Sequence, residues 1–119
     1  MKKVYYLSTC DTCKRIISDL DLKEKNVEFQ DIKTEKITAG QLEEIKNIAG
    51  SYEALFSRIA RKYKALDLGS KALGENDYKN HILEEYTFLK RPVIIINNRI
   101  FIGNARNTIE QARAALSEA

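Results

Sequence analysis

Residues 3–32 read KVYYLSTCDTCKRIISDLDLKEKNVEFQDI, and the order of residue types in this stretch decides the fold class. Lys3 to Leu7 is β-branched and aromatic, the composition of a strand, and Ser8 and Thr9 end it. From about Asp11 to Lys25 the pattern is helical. Cys13, Ile16, Ile17 and Leu20 recur at spacings of three and four, so they share one apolar face. Val27 to Ile32 alternates as a second strand. The whole predicts a strand–helix–strand unit, with Cys10 and Cys13 at the first strand-to-helix turn.

The far end of the chain returns to strand character. Pro92 precedes the apolar run Val93-Ile-Ile-Ile96, which reads as a buried strand. Asn97-Asn98 is a two-residue turn signal, because Asn tolerates positive φ. Arg99 to Ile102 then pairs back, and Gly103-Asn104 opens a last helix with Ile109, Ala112 and Leu116 on one side. Between these halves, roughly 37–87, the pattern is helical throughout. Thr38 and Gln41 have the spacing of a capping box. Leu42, Ile45 and Ile48 continue one face, and Gly50 stops it. Ser51 is a cap for a short helix carrying Tyr52, Leu55 and Phe56, a third segment runs near Ile59 to Leu66, and Asn76 or Asp77 caps a helix carrying Tyr78 and Ile82. The expected fold class is α/β, ordered βαβ, helical middle, ββα. No internal repeat or Pro/Gly/Ser-rich linker interrupts it.

Composition bounds the possibilities. At 119 residues, 44% hydrophobic and 31% charged, one globular domain is expected. Two cysteines are too few for a disulfide scaffold. The net charge of +3 is small, and no direct nucleic-acid binding is expected from it. A membrane span needs roughly 20 apolar residues, far more than Val93–Ile96 offers. Met1-Lys-Lys3 resembles the start of a signal peptide, but the apolar stretch Val4–Leu7 is shorter than the 7–15 or so residues such a segment needs. Cytoplasmic residence is therefore the expectation. In a reducing compartment a close cysteine pair is more often catalytic, redox-sensing or metal-binding than structural.

At a helix entry the unpaired N–H groups carry partial positive charge and favour a thiolate over a thiol. Cys10 sits there, with Lys14 and Arg15 adding positive charge and Asp11 opposing it. Cys13, one turn on, can attack a mixed disulfide formed on Cys10 and resolve it. The expected roles are Cys10 as nucleophile and Cys13 as the less exposed resolving thiol. Two other readings stand beside this one. A structural zinc site needs about four ligands, and only His81 joins the two cysteines, so no metal is expected. Both cysteines are alternatively small, unreactive core residues.

Arg91-Pro92 is either a plain strand start, where a missing N–H is tolerated, or a cis proline with Arg91 offering a planar fork of donors to an oxyanion. Arg58, Arg61, Lys62 and Lys64 form a run of cations without an acid among them. Arg58 and Arg61 can share a helical face. Such a run is usually a solvated face.

Taken together, Ser8-Thr9-Cys10-x-x-Cys13-Lys14 after a first strand, a helical insert, Arg91-Pro92-Val93-Ile94-Ile95 before a hairpin, and Gly103 after it resemble the arsenate reductase/Spx family of thioredoxin-fold proteins. The resemblance covers about residues 2–117. It implies a thioredoxin-like domain over 1–119, with a mixed four-stranded sheet, a helical insertion at about 37–87 and a cis proline at Pro92.

The resemblance implies two kinds of member. In glutaredoxin-linked arsenate reductases a cysteine matching Cys10 attacks arsenate, arginines hold the oxyanion, and glutathione and glutaredoxin complete the reduction. Arg91 matches one of those arginines. A second falls near Ile59, which Arg58 and Arg61 flank. The third falls near Ile102, where this chain has none. In Spx-type members the CxxC is a redox switch and the protein binds the RNA polymerase α subunit. The reductases lack a cysteine at Cys13, and Spx-type members have one. The leading expectation is a thiol-dependent oxidoreductase acting on a small oxyanion or disulfide. It needs no bound cofactor, and glutathione with glutaredoxin, or thioredoxin, is its reductant. The alternative is a redox-sensing regulator of the Spx type.

Overall fold

A computed structural model describes residues 1–118. Its elements run β1 (Lys2–Tyr6), α1 (Asp11–Asp19), β2 (Glu28–Asp31), α2 (Ala39–Ala49), α3 (Arg61–Ala65), α4 (Glu75–Glu84), β3 (Val93–Ile96), β4 (Arg99–Ile102) and α5 (Arg106–Glu118). The chain divides into two compact units. One comprises Met1–Glu35 with the segment from Arg91 onward, and the other is Lys36–Lys90.

The first unit is built on one four-stranded sheet in the order β2-β1-β3-β4. β1 and β2 are parallel, joined through α1, while β1–β3 and β3–β4 are antiparallel. The sheet is therefore mixed, as expected. Val4, Ile94, Ile96 and Phe101 form one apolar cluster with Ile16, Ile17 and Leu20 of α1 and with Ala112, Ala115 and Leu116 of α5. All four residues of β3 are buried. An uninterrupted Val-Ile-Ile-Ile run suits a strand covered on both faces, since alternate side chains point to opposite sides. The opposite face carries Tyr5, Gln30 and Lys3, also buried. Lys3 reaches the edge, where its Nζ meets the Glu28 carboxylate at 2.9 Å.

The helical periodicity predicts α1 as far as Lys25, but the helix ends at Asp19. Asp21 adopts a left-handed backbone with φ of 56°, a conformation its short polar side chain tolerates. The break lets Leu22 turn inward, where it is fully buried. At the other end, Gly103 does not open the last helix. With φ of +88° it closes the β3–β4 hairpin, donating its N–H to the Pro92 carbonyl at 2.9 Å, and α5 starts at Arg106.

The second unit is helical but not helical throughout. Single 3-10 turns at Glu53–Leu55, Leu68–Ser70 and Tyr86–Phe88 punctuate it. The capping box is present: the Thr38 Oγ1 accepts the Gln41 N–H at 3.0 Å, and the Gln41 Oε1 accepts the Thr38 N–H at 3.1 Å. Gly50, at φ of +101°, ends α2. α4 starts two or three residues earlier than a cap at Asn76 or Asp77 would place it. Gly74 is its cap residue, and the Asp77 carboxylate accepts the Gly74 N–H at 2.8 Å. The centre of this unit is Phe56, stacked on Phe88 with ring centroids 5.1 Å apart and tilted against Tyr78 at 4.8 Å.

Candidate active site at the cysteine turn

Cys10 is the cap residue of α1, with extended backbone at φ of −95° and ψ of 112°. Its N–H donates to the Leu7 carbonyl at 3.0 Å, and its carbonyl accepts the Lys14 N–H at 3.1 Å. The turn is thus tied to both β1 and α1 through its own backbone. Cys10 is half-buried and Cys13 buried, both as free thiols, in the order the apolar face of α1 predicts.

The two sulfurs experience different fields. Burial works to raise the pKa of Cys10. It is outweighed by the Cys13 backbone N–H, the Cys13 thiol, the positive charge of Arg91 and the Thr12 backbone N–H, and the pKa falls below the ordinary thiol value. These amides are the unpaired donors at the start of a helix. For Cys13 burial dominates, and the neighbouring Cys10 adds to it. Arg91 and the Leu7 backbone oppose, and the pKa is pushed up to about 11. The pair is therefore an outer sulfur that ionises first as pH rises and an inner one held as thiol until the pH nears about 11. Such a pair can attack an electrophilic centre with one sulfur and keep a proton-bearing second sulfur in reserve.

Arg91 precedes β3, and the Arg91–Pro92 peptide bond is cis. The antiparallel pairing of β3 with β1 brings Val93 beside Tyr5, which carries Arg91 toward the end of β1 where the cysteine turn begins. The structure thus gathers Cys10, Cys13 and Arg91 in one unit. Arg58 and Arg61 belong to the other unit. There the Arg58 guanidinium donates to the Glu53 carboxylate at 2.8 Å and to the Tyr78 hydroxyl at 3.0 Å, and it lies over the Tyr78 ring. Its hydrogen bond to Glu53 is the main cause of its raised pKa. Arg61 is exposed at the start of α3. His81 packs its ring against Phe88 at 5.4 Å.

Sequence reasoning does not find Asp31. Its carboxylate accepts the Ser8 N–H at 3.3 Å and the Lys33 N–H at 3.1 Å. Desolvation opposes its ionisation, but the hydrogen bonds from Ser8 and Lys33 win and lower its pKa. The carboxylate pins the Ser8–Thr9 turn that leads into Cys10. The signal lies in the parallel register, in which Tyr6 faces Asp31. An acid closing the second strand of a βαβ unit stands beside the turn that leaves the first. Among the described residues no group of three or more His, Cys, Asp or Glu is placed to hold a metal ion, and no helix is long and apolar enough to cross a membrane.

Solved structures share this architecture. The YffB protein superposes with a TM-score of 0.81 at 26% identity, covering 98% of this chain and 99% of its own. A Staphylococcus aureus COL protein superposes at 0.75 with 25% identity, over 93% of this chain and 97% of its own. An arsenate reductase from Vibrio cholerae superposes at 0.75 with 16% identity, over 92% of each chain. A search of curated proteins finds no match. The fold is thioredoxin-like, and with the ArsC family model matching residues 5–112, the chain belongs to the ArsC family.

Proposed function

We propose that the chain is a thiol-dependent oxidoreductase in which Cys10 is the nucleophile and Cys13 the resolving thiol. The observation that carries this reading is the division of labour between the sulfurs. Cys10 is accessible with a lowered pKa, while Cys13 is buried with its pKa pushed up to about 11.

With a disulfide substrate, the Cys10 thiolate attacks one sulfur. A mixed disulfide forms and the other sulfur leaves as thiolate, taking up a proton. Cys10 is then no longer an anion, so its charge ceases to oppose ionisation of Cys13. Cys13 gives up its proton, attacks the Cys10 sulfur and expels the second substrate thiolate. The substrate gains two electrons, and the protein is left with a Cys10–Cys13 disulfide. A dithiol reductant of the glutaredoxin or thioredoxin type, or glutathione, restores both thiols.

With arsenate, the thiolate displaces a protonated oxygen as water and forms a sulfur–arsenic bond. Attack by Cys13 on Cys10 then releases arsenic as arsenite. Arg91 offers donors to the oxyanion in this scheme. Arg58 and Arg61 are weaker candidates for the same role, because Arg58 already donates to Glu53 and Tyr78. The chemistry belongs in a reducing, cytoplasm-like compartment. Residues 1–119 act in it as one domain with the helical insertion at about 37–87.

The test is a turnover assay with arsenate and with a small disulfide, each supplied with glutathione plus glutaredoxin or with thioredoxin. One combination is expected to turn over and to lose activity on Cys10→Ser. No turnover in any combination contradicts the reading. Cys13 favours a second reading, a redox-switched regulator that binds the RNA polymerase α subunit. A pull-down that recovers that subunit in only one redox state would select it.

A further inference from the structure

In the helical unit, residues 58–67 read RIARKYKALD, and this segment stands on the surface for almost its whole length. Only Ala60 and Tyr63 are half-buried, and the rest are exposed. The segment is nonetheless held in one conformation. Ser57, just before it, donates its N–H to the Phe88 carbonyl at 2.7 Å, and Leu68, just after it, is buried. Within it the Tyr63, Leu66 and Asp67 N–H groups donate to the Ala60, Lys62 and Lys64 carbonyls at 3.0, 2.9 and 3.0 Å. The Tyr63 ring lies 6.1 Å from that of Phe56. Ile59 is 94% exposed and Leu66 46%, and these two large apolar side chains bracket α3. Arg61, Lys62 and Lys64 take part in no ion pair among the described residues. The helix dipole favours Lys62 and Lys64 in the last turn. It opposes Arg61 in the first, and Arg61 and Lys64, three positions apart, repel each other. α3 buries none of its residues. The anchors hold this ridge, and its exposed apolar and cationic groups add nothing to the hold.

We propose that this ridge is a docking surface for an acidic protein segment that carries aliphatic side chains. The charges facing the partner are Arg61, Lys62 and Lys64. Arg58 is already bound to Glu53 and Tyr78. Asp67, the one acid of the segment, lies at its far end and accepts the Ser70 hydroxyl at 2.8 Å. A nucleic-acid backbone would satisfy the cations and leave Ile59 and Leu66 in water. An anionic bilayer takes up amphipathic helices with a broad apolar face. α3 has five residues, and its one aromatic ring is packed toward Phe56. A protein segment in which carboxylates alternate with aliphatic side chains meets both needs. Its charge steers the encounter, and burial of Ile59 and Leu66 holds the complex. The ridge is ordered beforehand, so docking does not cost its folding. Cys10 and Cys13 belong to the other unit, and failure of this proposal would leave their chemistry standing.

The test is an amide NMR titration of the full chain with the end-capped peptide Asp-Glu-Leu-Glu-Asp-Ile-Glu. The expected result is saturable shifts centred on Ile59 to Leu66, weakened by added salt and unchanged in a Cys10→Ser variant. The double variant Ile59→Ser, Leu66→Ser should bind at least about tenfold more weakly, the worth of one buried aliphatic side chain. The same loss is expected when the Leu and Ile of the peptide are replaced by Ser. Arg61→Gln with Lys64→Gln should weaken binding about fivefold and blunt the salt dependence. All four positions are exposed or nearly so, so the variants should keep the thermal midpoint of the parent chain. Absence of saturable shifts, or shifts that map elsewhere, overturns the proposal. A DNA duplex or phosphatidylglycerol vesicles that bind as tightly as the peptide, whether or not Ile59 is replaced, also overturn it. So does self-association in sedimentation that Ile59→Ser abolishes, because the ridge would then be the seat of a second copy.

Discussion

The cysteine turn and the Phe56–Arg58 cluster are the two most functionally charged regions of the molecule, and they treat their reactive groups in opposite ways. At the turn, backbone amides and Asp31 do the holding, and the two sulfurs are left as free thiols. In the cluster, the side chains themselves are consumed. Arg58 is spent on Glu53, on Tyr78 and on the faces of Tyr78 and Phe56. The difference teaches that a cation in a promising sequence position is a site residue only if its neighbours leave it available. A backbone-built turn can position a nucleophile without occupying it.

The comparison can be broken first on the structural side. Phe56 is fully buried and touches the rings of Tyr63, Tyr78, His81 and Phe88. Phe56→Ala is expected to cost about 3–5 kcal/mol in denaturant unfolding. A loss under about 1 kcal/mol would mean that the cluster is not the packing centre of its unit.

On the turn side, Cys13 makes a pH prediction. Its folded pKa is raised from the ordinary 9.0 to about 11, chiefly by burial. The unfolded chain therefore loses this proton first as pH rises. The stabilisation is complete below about pH 9 and is lost as pH climbs toward 11. The swing is up to about 2–3 kcal/mol. Unfolding free energies of the reduced protein and of Cys13→Ala, measured across that range, should differ by a term that shrinks with rising pH. A constant difference would contradict it.

Smaller effects sharpen the contrast. Asp31→Ala removes the acceptor for the Ser8 and Lys33 amides. It is expected to cost about 1 kcal/mol and to slow alkylation of Cys10. Arg58→Met should cost about 1 kcal/mol or less, since its partners are partly exposed. By the comparison it should leave Cys10 alkylation unchanged. If Arg58→Met slows that alkylation while Arg91→Met does not, the two arginines have been assigned the wrong way round.

Much of this is legible in the sequence itself. The strand–CxxC–helix–strand stretch, the Thr38–Gln41 capping box, the Gly50 stop and the Val93–Ile96 strand rest on local rules, and local rules survive folding. The elements missed share a different cause. Asp21 and Asp67 take left-handed backbone, and nothing in an aspartate announces that choice until burial of Leu22 or Leu68 rewards it. Asp31 and Ser8 stand 23 positions apart in the chain, and they meet only because the parallel register lays one strand end beside the other. The tie of Arg58 to Tyr78 spans 20 positions and is equally invisible to a pattern read along the chain.

The central claim is that the two thiols differ in readiness, and alkylation followed residue by residue with mass spectrometry tests it most directly. Fully reduced protein is exposed to iodoacetamide from about pH 6 to 11, and the modification of each cysteine is quantified. Cys10 should be modified with a midpoint below 9.0, and Cys13 should stay protected until the pH nears 11. Equal rates at the two cysteines, or faster modification of Cys13, would contradict the account.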